Sequence, residues 1–197
     1  MLTGYKYKKI PINETHNMFI IEHQHVVEVS DFVAKTYYNE DVTSYDCGLE
    51  EFVKRIEEED EMRKDNATVF CIVDSEEELC CTATLLLRNK DFPVLPMEAA
   101  FHIDLDYFEE DYIYEFTRFA SNGKISFYLI KKMLQCMCES IEPDNSRFVA
   151  ALNSKVYKKI KRIKYPAYCL GKSIHYMGAE TTPAGIKISE LCKVVGL

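Results

Sequence analysis

The segment YEFTRFASNGKIS, Tyr114 to Ser126, brings a carboxylate, an arginine and a small-residue turn into one short stretch. Glu115 can take a proton from a reacting group, directly or through water. Arg118 keeps its charge at any working pH and can hold a carboxylate, a neighbouring loop or a phosphate. Ser121, Asn122 and Gly123 lead into an apolar-periodic run. A helix opening from such a turn offers backbone N–H groups and the positive end of its dipole to an anion. Gly123 would let a phosphate approach the backbone, and Lys124 or Arg118 could neutralise it. A plain helix cap accounts for the same Ser-Asn-Gly run. A phosphate loop of the G-x-x-x-x-G-K-[ST] type would need a glycine where Arg118 stands, and the dinucleotide pattern G-x-G-x-x-G is absent.

Positioning these groups falls to the surrounding elements. Tyr114 to Ala120 reads as a strand, with Glu115, Thr117 and Phe119 on one face. Tyr114, Phe116 and Arg118 take the other, unless a bulge re-aims them. KISFYLIKKMLQCMCESI predicts an amphipathic helix with Ile130, Met133, Leu134, Met137, Cys138 and Ile141 on one stripe. SRFVAAL reads as a buried strand, so a right-handed crossover would make it the parallel neighbour of the Glu115 strand. NSKVYKKIKRIK follows as a basic helix held by Val156, Ile160 and Ile163.

Upstream, YKYKKIPIN reads as a short edge strand, and Asn13 and Thr15 as N-caps for a helix over His16 to Tyr38, broken near His23–His25. Asn39 to Asp65 reads as a solvated helix with the stripe Leu49, Phe52, Val53 and Ile56. ATVFCIVD and LCCTATLLLR form a predicted hairpin, NKDFPVLP a loop, and Met97 to Asp111 a connection. AYCLGKSIHYMG and AGIKISEL read as two closing strands split by a turn at Pro183–Gly185. The whole is one α/β domain over residues 1–197, a central mixed, twisted sheet flanked by helices.

Composition narrows the function. The 197 residues are 47% hydrophobic, enough for a full core. Lys plus Arg is 24 against 32 for Asp plus Glu, a formal charge of -8 that argues against general nucleic-acid binding. The eight cysteines include no C-x-x-C pair and several sit in apolar runs, the pattern of reduced thiols. The five histidines show no ligand spacing, so no metal is expected. No signal peptide and no run of about 18 apolar residues is present, which points to a soluble, cytoplasmic protein.

The strand order and the R-x-x-small-x-Gly turn resemble the GNAT superfamily of acyltransferases. E-F-T-R-F-A at Glu115 to Ala120 resembles the E-x-x-R-F motif of acyl-homoserine lactone synthases, and long-chain N-acyl amino acid synthases carry similar residues. CCTATLLLRNKDFPVLPMEAAF looks like the family's third strand and exit loop. RIKYPAYCLGKSIHYMG looks like its closing region around Leu170 and Gly171. The resemblance runs from about Ala67 to the C-terminus. It implies a donor thioester on acyl carrier protein or coenzyme A, with no covalently bound cofactor. Arg118, Phe119, Ala120, Ser121, Asn122, Gly123 and Lys124 would grip the donor's pantetheine pyrophosphate.

Acyl transfer to an amine requires a base, an oxyanion site and a proton for the departing thiolate. The resemblance implies Glu115 as base, against a buried ion pair or a surface carboxylate. Backbone N–H groups near Phe119 and Ala120 would be the oxyanion donors. Tyr157 or Tyr165 would protonate the thiolate, although either of these, among 13 tyrosines, suits core packing. Lys155, Lys158, Lys159, Lys161, Arg162 and Lys164 form a patch suited to docking an acidic carrier protein, and equally to a solvated face or to coenzyme A. Apolar residues of the central strands and the Lys124–Ile141 helix would line an acyl tunnel or fill an ordinary core.

Three departures from the lactone synthases bear on the acceptor. The chain has no tryptophan, VSDFVAKTYYNED lacks the family's arginine, and Thr84 stands where an arginine is expected on the third strand. In the family these positions help hold S-adenosylmethionine. An amino acid or another small amine is therefore the expected acceptor. A true lactone synthase, or a non-catalytic member that binds carrier protein or ligand and regulates, is the alternative.

Overall fold

A computed structural model describes residues 2, 4–40, 45–162 and 165–197. The elements run β1 (Lys8–Pro11), β2 (His16–Glu22), α1 (Val27–Glu40), α2 (Leu49–Arg63), β3 (Ala67–Asp74) and β4 (Leu79–Leu87). Then come α3 (Pro96–Phe101), β5 (Tyr112–Ser121), α4 (Phe127–Glu139), β6 (Ser146–Asn153), α5 (Ser154–Arg162), β7 (Tyr168–Cys169), β8 (Ile174–Tyr176), β9 (Ala179–Lys187) and α6 (Ile188–Val195). The strands are hydrogen-bonded in the order β1-β2-β3-β4-β5-β6-β9-β7, with β8 also on β9. Two compact units divide the chain: Met1–Leu85 with Arg118–Met133, and Leu86–Thr117 with Leu134–Leu197.

In the first unit β2 pairs antiparallel with both β1 and β3. The sequence reading placed a helix here, because Phe19 and Ile20 continue into the apolar spacing of α1. The chain instead breaks at His23, whose φ of 55° stops the strand. The helix is thereby confined to Val27–Glu40. Asn13 is no helix cap. Its Oδ1 accepts from the backbone N–H of Thr15 (2.9 Å) and of His16 (2.8 Å), closing the β1–β2 turn. Val26, Val29 and Val33 of the α1 region pack on Ile21, Val69, Cys71 and Val73. Burial of each such side chain contributes about 1.5–3 kcal/mol relative to exposure.

In the second unit β5 and β6 pair in parallel from Tyr112↔Ser146 to Glu115↔Val149, the neighbourhood that the crossover argument predicts. On its other side β6 ladders antiparallel with β9, from Arg147↔Lys187 to Asn153↔Thr181. The turn expected at Pro183–Gly185 is the middle of strand β9. Pro183 is tolerated because β8 pairs with Ala179–Thr181 and β7 with Ala184–Gly185, so its missing N–H falls between them. Gly185 is required, since a Cβ there would stand 2.9 Å from the Tyr168 hydroxyl. The strand expected over Ala184–Leu191 ends at Lys187, and Ile188, Leu191 and Val195 then form the buried stripe of α6.

All eight cysteines are free thiols, and burial pushes Cys71 and Cys81 up to about 12. Among the described residues no helix is long and apolar enough to cross a membrane.

Candidate active site

Glu115 lies on the last parallel rung between β5 and β6 and is only 3% exposed. Its Oε2 accepts the backbone N–H of Met97 at 3.0 Å. That donor belongs to the first turn of α3, where N–H groups have no partner within the helix. Pro96 opens α3, its fixed φ suited to that position. The sequence predicts only a connection over Met97 to Asp111, because a six-residue helix is too short for periodicity to reveal.

The neighbouring carboxylate of α3 is held differently. Glu98 receives Arg88 Nε at 3.1 Å and Nη2 at 3.2 Å, and also the backbone N–H of Leu95 at 2.9 Å. Arg88 Nη2 reaches Asp106 Oδ1 at 2.6 Å. Neither Arg88 nor Glu98 was singled out from sequence. The only signal for them was a charge at the end of an apolar strand and another inside PMEAAF.

Arg118 lies in the first unit, 6% exposed, with φ at 54°. This left-handed residue within β5 breaks the alternation of faces, as a bulge does. Nε donates to Asp60 Oδ1 and Nη2 to Glu59 Oε2, both at 2.8 Å. Burial works against the guanidinium's charge, but Asp60 and Glu59 outweigh it and the net shift is upward. Glu59 and Asp60 come from the EEEDE run, which the sequence reading assigned wholly to solvent. Their partner is more than fifty positions away, beyond the reach of any local pattern.

After Arg118 the chain makes the expected turn but delays the helix. Phe119 O accepts the Tyr37 hydroxyl at 3.2 Å, and the Asn122 N–H reaches Cys80 O at 3.0 Å. Asn122 Oδ1 accepts the N–H of Lys124 at 3.0 Å. Gly123 has φ at 75° with open space where a Cβ would point. Asn122, Gly123 and Lys124 are exposed, Ser121 is half-buried and Ala120 is buried. The helix itself begins at Phe127, with the Ser126 hydroxyl taking the Leu129 N–H at 3.4 Å. Ser121 ends β5, and the turn through Asn122 and Gly123 leads to the helix as expected, with Lys124–Ser126 between them.

In the second unit Lys155, Lys158, Lys159 and Arg162 are exposed along α5. Val156, expected as an anchor, is 47% exposed, while Tyr157 and Ile160 are half-buried. Ile163 and Lys164 lie outside the described residues. Burial raises Tyr157, with a smaller push from Cys169. Tyr165 is raised to about 12, chiefly by burial and then by Cys138. Both phenols therefore stay protonated at neutral pH. A cleft of about 480 Å³ in the first unit is lined by Tyr5, Tyr7, Lys9, Phe19 and Asp74 among others, and by none of the expected site residues.

No protein-family model and no curated protein matches this sequence. Solved structures do. One is TofI in a ternary complex with an inhibitor and MTA, at 17% identity over 91% of this chain and 96% of that one, TM-score 0.67. A second is FeeM, an N-acyl amino acid synthase from uncultured soil microbes, at 16% identity over 95% of each chain, TM-score 0.63. A third is BjaI, a CoA-dependent acyl-homoserine lactone synthase with SAM and isopentyl-CoA. It matches at 12% identity over 90% of this chain and 88% of that one, TM-score 0.55. The chain has the GNAT-type mixed α/β fold that its sequence predicts.

Proposed function

We propose that this protein is an N-acyltransferase that moves an acyl group from a thioester, on acyl carrier protein or coenzyme A, to the amine of an amino acid or similar small acceptor. The observation that carries this reading is Glu115, a carboxylate buried at the last rung of the β5–β6 ladder and aimed at the start of α3. Both strands continue past that rung, β5 to Ser121 and β6 to Asn153. The amides of a pantetheine arm suit the edge of a strand, as in the addition of an extended peptide to a sheet.

In the proposed reaction Glu115 takes a proton from the acceptor amine, whose nitrogen attacks the thioester carbon. Backbone N–H groups near Phe119 and Ala120 hold the oxyanion. The C–S bond breaks, and the leaving thiolate takes the proton of Tyr157 or Tyr165. Ser121, Asn122, Gly123 and Lys124 receive the donor phosphates. Arg118, committed to Asp60 and Glu59, braces the strand that carries them. The exposed cations of α5, Lys155, Lys158, Lys159 and Arg162, steer an acidic carrier protein. With soluble chemistry at every step, a cytoplasmic location is consistent.

S-adenosylmethionine is the second acceptor considered, favoured by the likeness to TofI with MTA and to BjaI with SAM. Against it stand the missing tryptophan and Thr84 on β4. Arg88, at the end of the same segment, is already spent on Glu98.

The test incubates purified protein with acyl carrier protein or coenzyme A thioesters and a mixture of amino acids, and reads products by mass spectrometry. An N-acylated amino acid formed by wild type and lost in Glu115→Gln, with donor binding kept, is the expected result. Methylthioadenosine release with S-adenosylmethionine would turn the assignment to lactone synthesis. Donor binding with no product from any acceptor would leave a binding protein and refute catalysis.

A further inference from the structure

A hydrogen-bonded chain in the first unit runs from the surface to Arg118. Glu61 Oε2 lies 3.2 Å from His25 Nδ1, and His25 Nε2 lies 3.1 Å from Ser30 Oγ. Ser30 Oγ lies 2.8 Å from Asp60 Oδ2, whose other oxygen holds Arg118 Nε at 2.8 Å. The Glu–His–Ser order matches that of a hydrolytic triad. Ser30 is 1% exposed and bound to a carboxylate, so it has no access to a substrate carbonyl. The arrangement calls for another role.

Counting protons supplies one. A serine hydroxyl has a single proton to donate. The ionised Asp60 Oδ2 can only accept, so at 2.8 Å it takes that proton; the alternative acceptor, Val26 O, is at 3.4 Å. The Ser30 oxygen must then receive a proton from His25 Nε2. Glu61 likewise calls for a proton on Nδ1. All of these bonds are made together only when both imidazole nitrogens carry hydrogen. A neutral His25 that keeps Nδ1–H for Glu61 turns a lone pair toward Ser30 and competes with Asp60 for the one hydroxyl proton.

We propose that His25 and Ser30 form a proton-sensing relay that sets how firmly Asp60 holds Arg118. With His25 charged, Ser30 donates to Asp60 and the carboxylate is fixed between serine and arginine. With His25 neutral and its one ring proton kept on Nδ1 for Glu61, that donor is divided and Asp60 loses part of its support. Arg118 is the residue that needs such support, because it holds a left-handed backbone conformation immediately before Phe119 and the Ser121–Gly123 turn.

The charges facing the relay are shared among three elements. α2 supplies Glu59, Asp60, Glu61 and Arg63, the last paired to Glu59 at 3.3 Å. The 3-10 turn after α2 supplies Lys64, which binds Glu61 and is the first cause of that carboxyl's downward shift. Asp65 belongs to the same turn, and its carbonyl binds His23 Nδ1 at 2.6 Å. β5 supplies Arg118. The relay does not depend on acyl transfer: it would operate in a binding protein with the same residues.

Nuclear magnetic resonance tests it directly, by following the Arg118 Nε–H and His25 ring signals of the full chain from about pH 5 to about pH 8, the range in which histidine ordinarily titrates. In wild type the two signals should shift through one common midpoint. Ser30→Ala should leave the His25 transition and abolish the matching Arg118 shift. Should that variant fail to fold, His25→Gln serves, since its amide donates to Ser30 at every pH and the Arg118 signal should become flat. An Arg118 signal that stays fixed while His25 titrates, a His25 signal that shows no transition in this range, or an Arg118 shift that survives either substitution would overturn the proposal.

Discussion

Glu115 and Arg118 stand three positions apart on one strand, both buried, and the protein satisfies them in opposite ways. Glu115, in the second unit, faces a backbone N–H at the start of a short helix. Arg118, in the first, is clamped by two side-chain carboxylates. The backbone donor comes with the fold, through the first turn of α3, and adds no side-chain charge of its own to that bond. Two acidic side chains instead neutralise the arginine and lock its geometry. The strand thus carries one side chain that meets a backbone donor and another that is held by two carboxylates.

The largest effect that would sharpen this contrast is expected at the first charge. Glu115→Gln should lower the rate of acyl transfer by about 10²–10⁴-fold, the usual contribution of a positioned base. Its amide oxygen can still accept from Met97, so stability measured by urea unfolding should change by about 1 kcal/mol or less. A stability loss as large as that of an arginine variant would show that Glu115 is a structural anchor.

Arg118→Ala should do the reverse. It leaves Asp60 with the Ser30 hydroxyl and no cation, and Glu59 with Arg63 alone, at a cost of about 3 kcal/mol. That is the low end for a broken buried pair, because the Glu59 side chain keeps 31% of its exposure. The shift in urea midpoint is the measurement. An unchanged midpoint would mean that Asp60 and Glu59 are as well satisfied by water, and the clamp would be no clamp.

A third ion pair gives the comparison a pH axis. Burial pushes the Glu110 carboxyl up, but Arg147 at 3.1 Å through Nε, with help from Lys187, brings it below its ordinary 4.5. A carboxyl lowered in the folded state adds stability above its unfolded value and loses it as pH falls through the folded one. Unfolding free energy should therefore drop on acidification below about pH 4.5. Arg147→Met should remove that Glu110 contribution and make this part of the acid loss shallower. An unaltered acid profile in the variant would assign the loss to other carboxylates.

The smallest structural effect is expected on α5. Reversing Lys158, Lys159 and Arg162 to Glu should move stability by no more than about 0.5 kcal/mol at exposed positions. Binding of acyl carrier protein should weaken, most at low salt, where screening is least. Equal affinity at every ionic strength would remove the docking role from this helix.

Residues whose neighbours in sequence are also their neighbours in space were readable without a structure. The β3–β4 hairpin, the apolar face of α4 and the parallel pairing of the Glu115 strand with SRFVAAL all follow from period and connection length. A carboxylate, an arginine and a small-residue turn within one short stretch, with the likeness of E-F-T-R-F-A to a known motif, directed attention to Glu115 and Arg118. What misled was continuity. Apolar spacing ran on through HNMFIIE, which is a strand because β1 and β3 flank it. Alternating isoleucines at Ile186 and Ile188 looked like one strand, whereas α6 takes over at Ile188. Pro183 resembled a turn because a proline is excluded from most strands, and only the gap between β7 and β8 admits it.

The sequence by itself determined the chemistry available: one carboxylate, one arginine and a glycine turn on a single strand end, in an acidic chain with no nucleotide loop. The tertiary structure alone decided what each of them holds. Hydrogen-bond partners such as Met97 for Glu115 and Asp60 for Arg118 are set by how distant segments pack. Bonds of that reach leave no period in the chain, because the distance along the backbone says nothing about the distance in space.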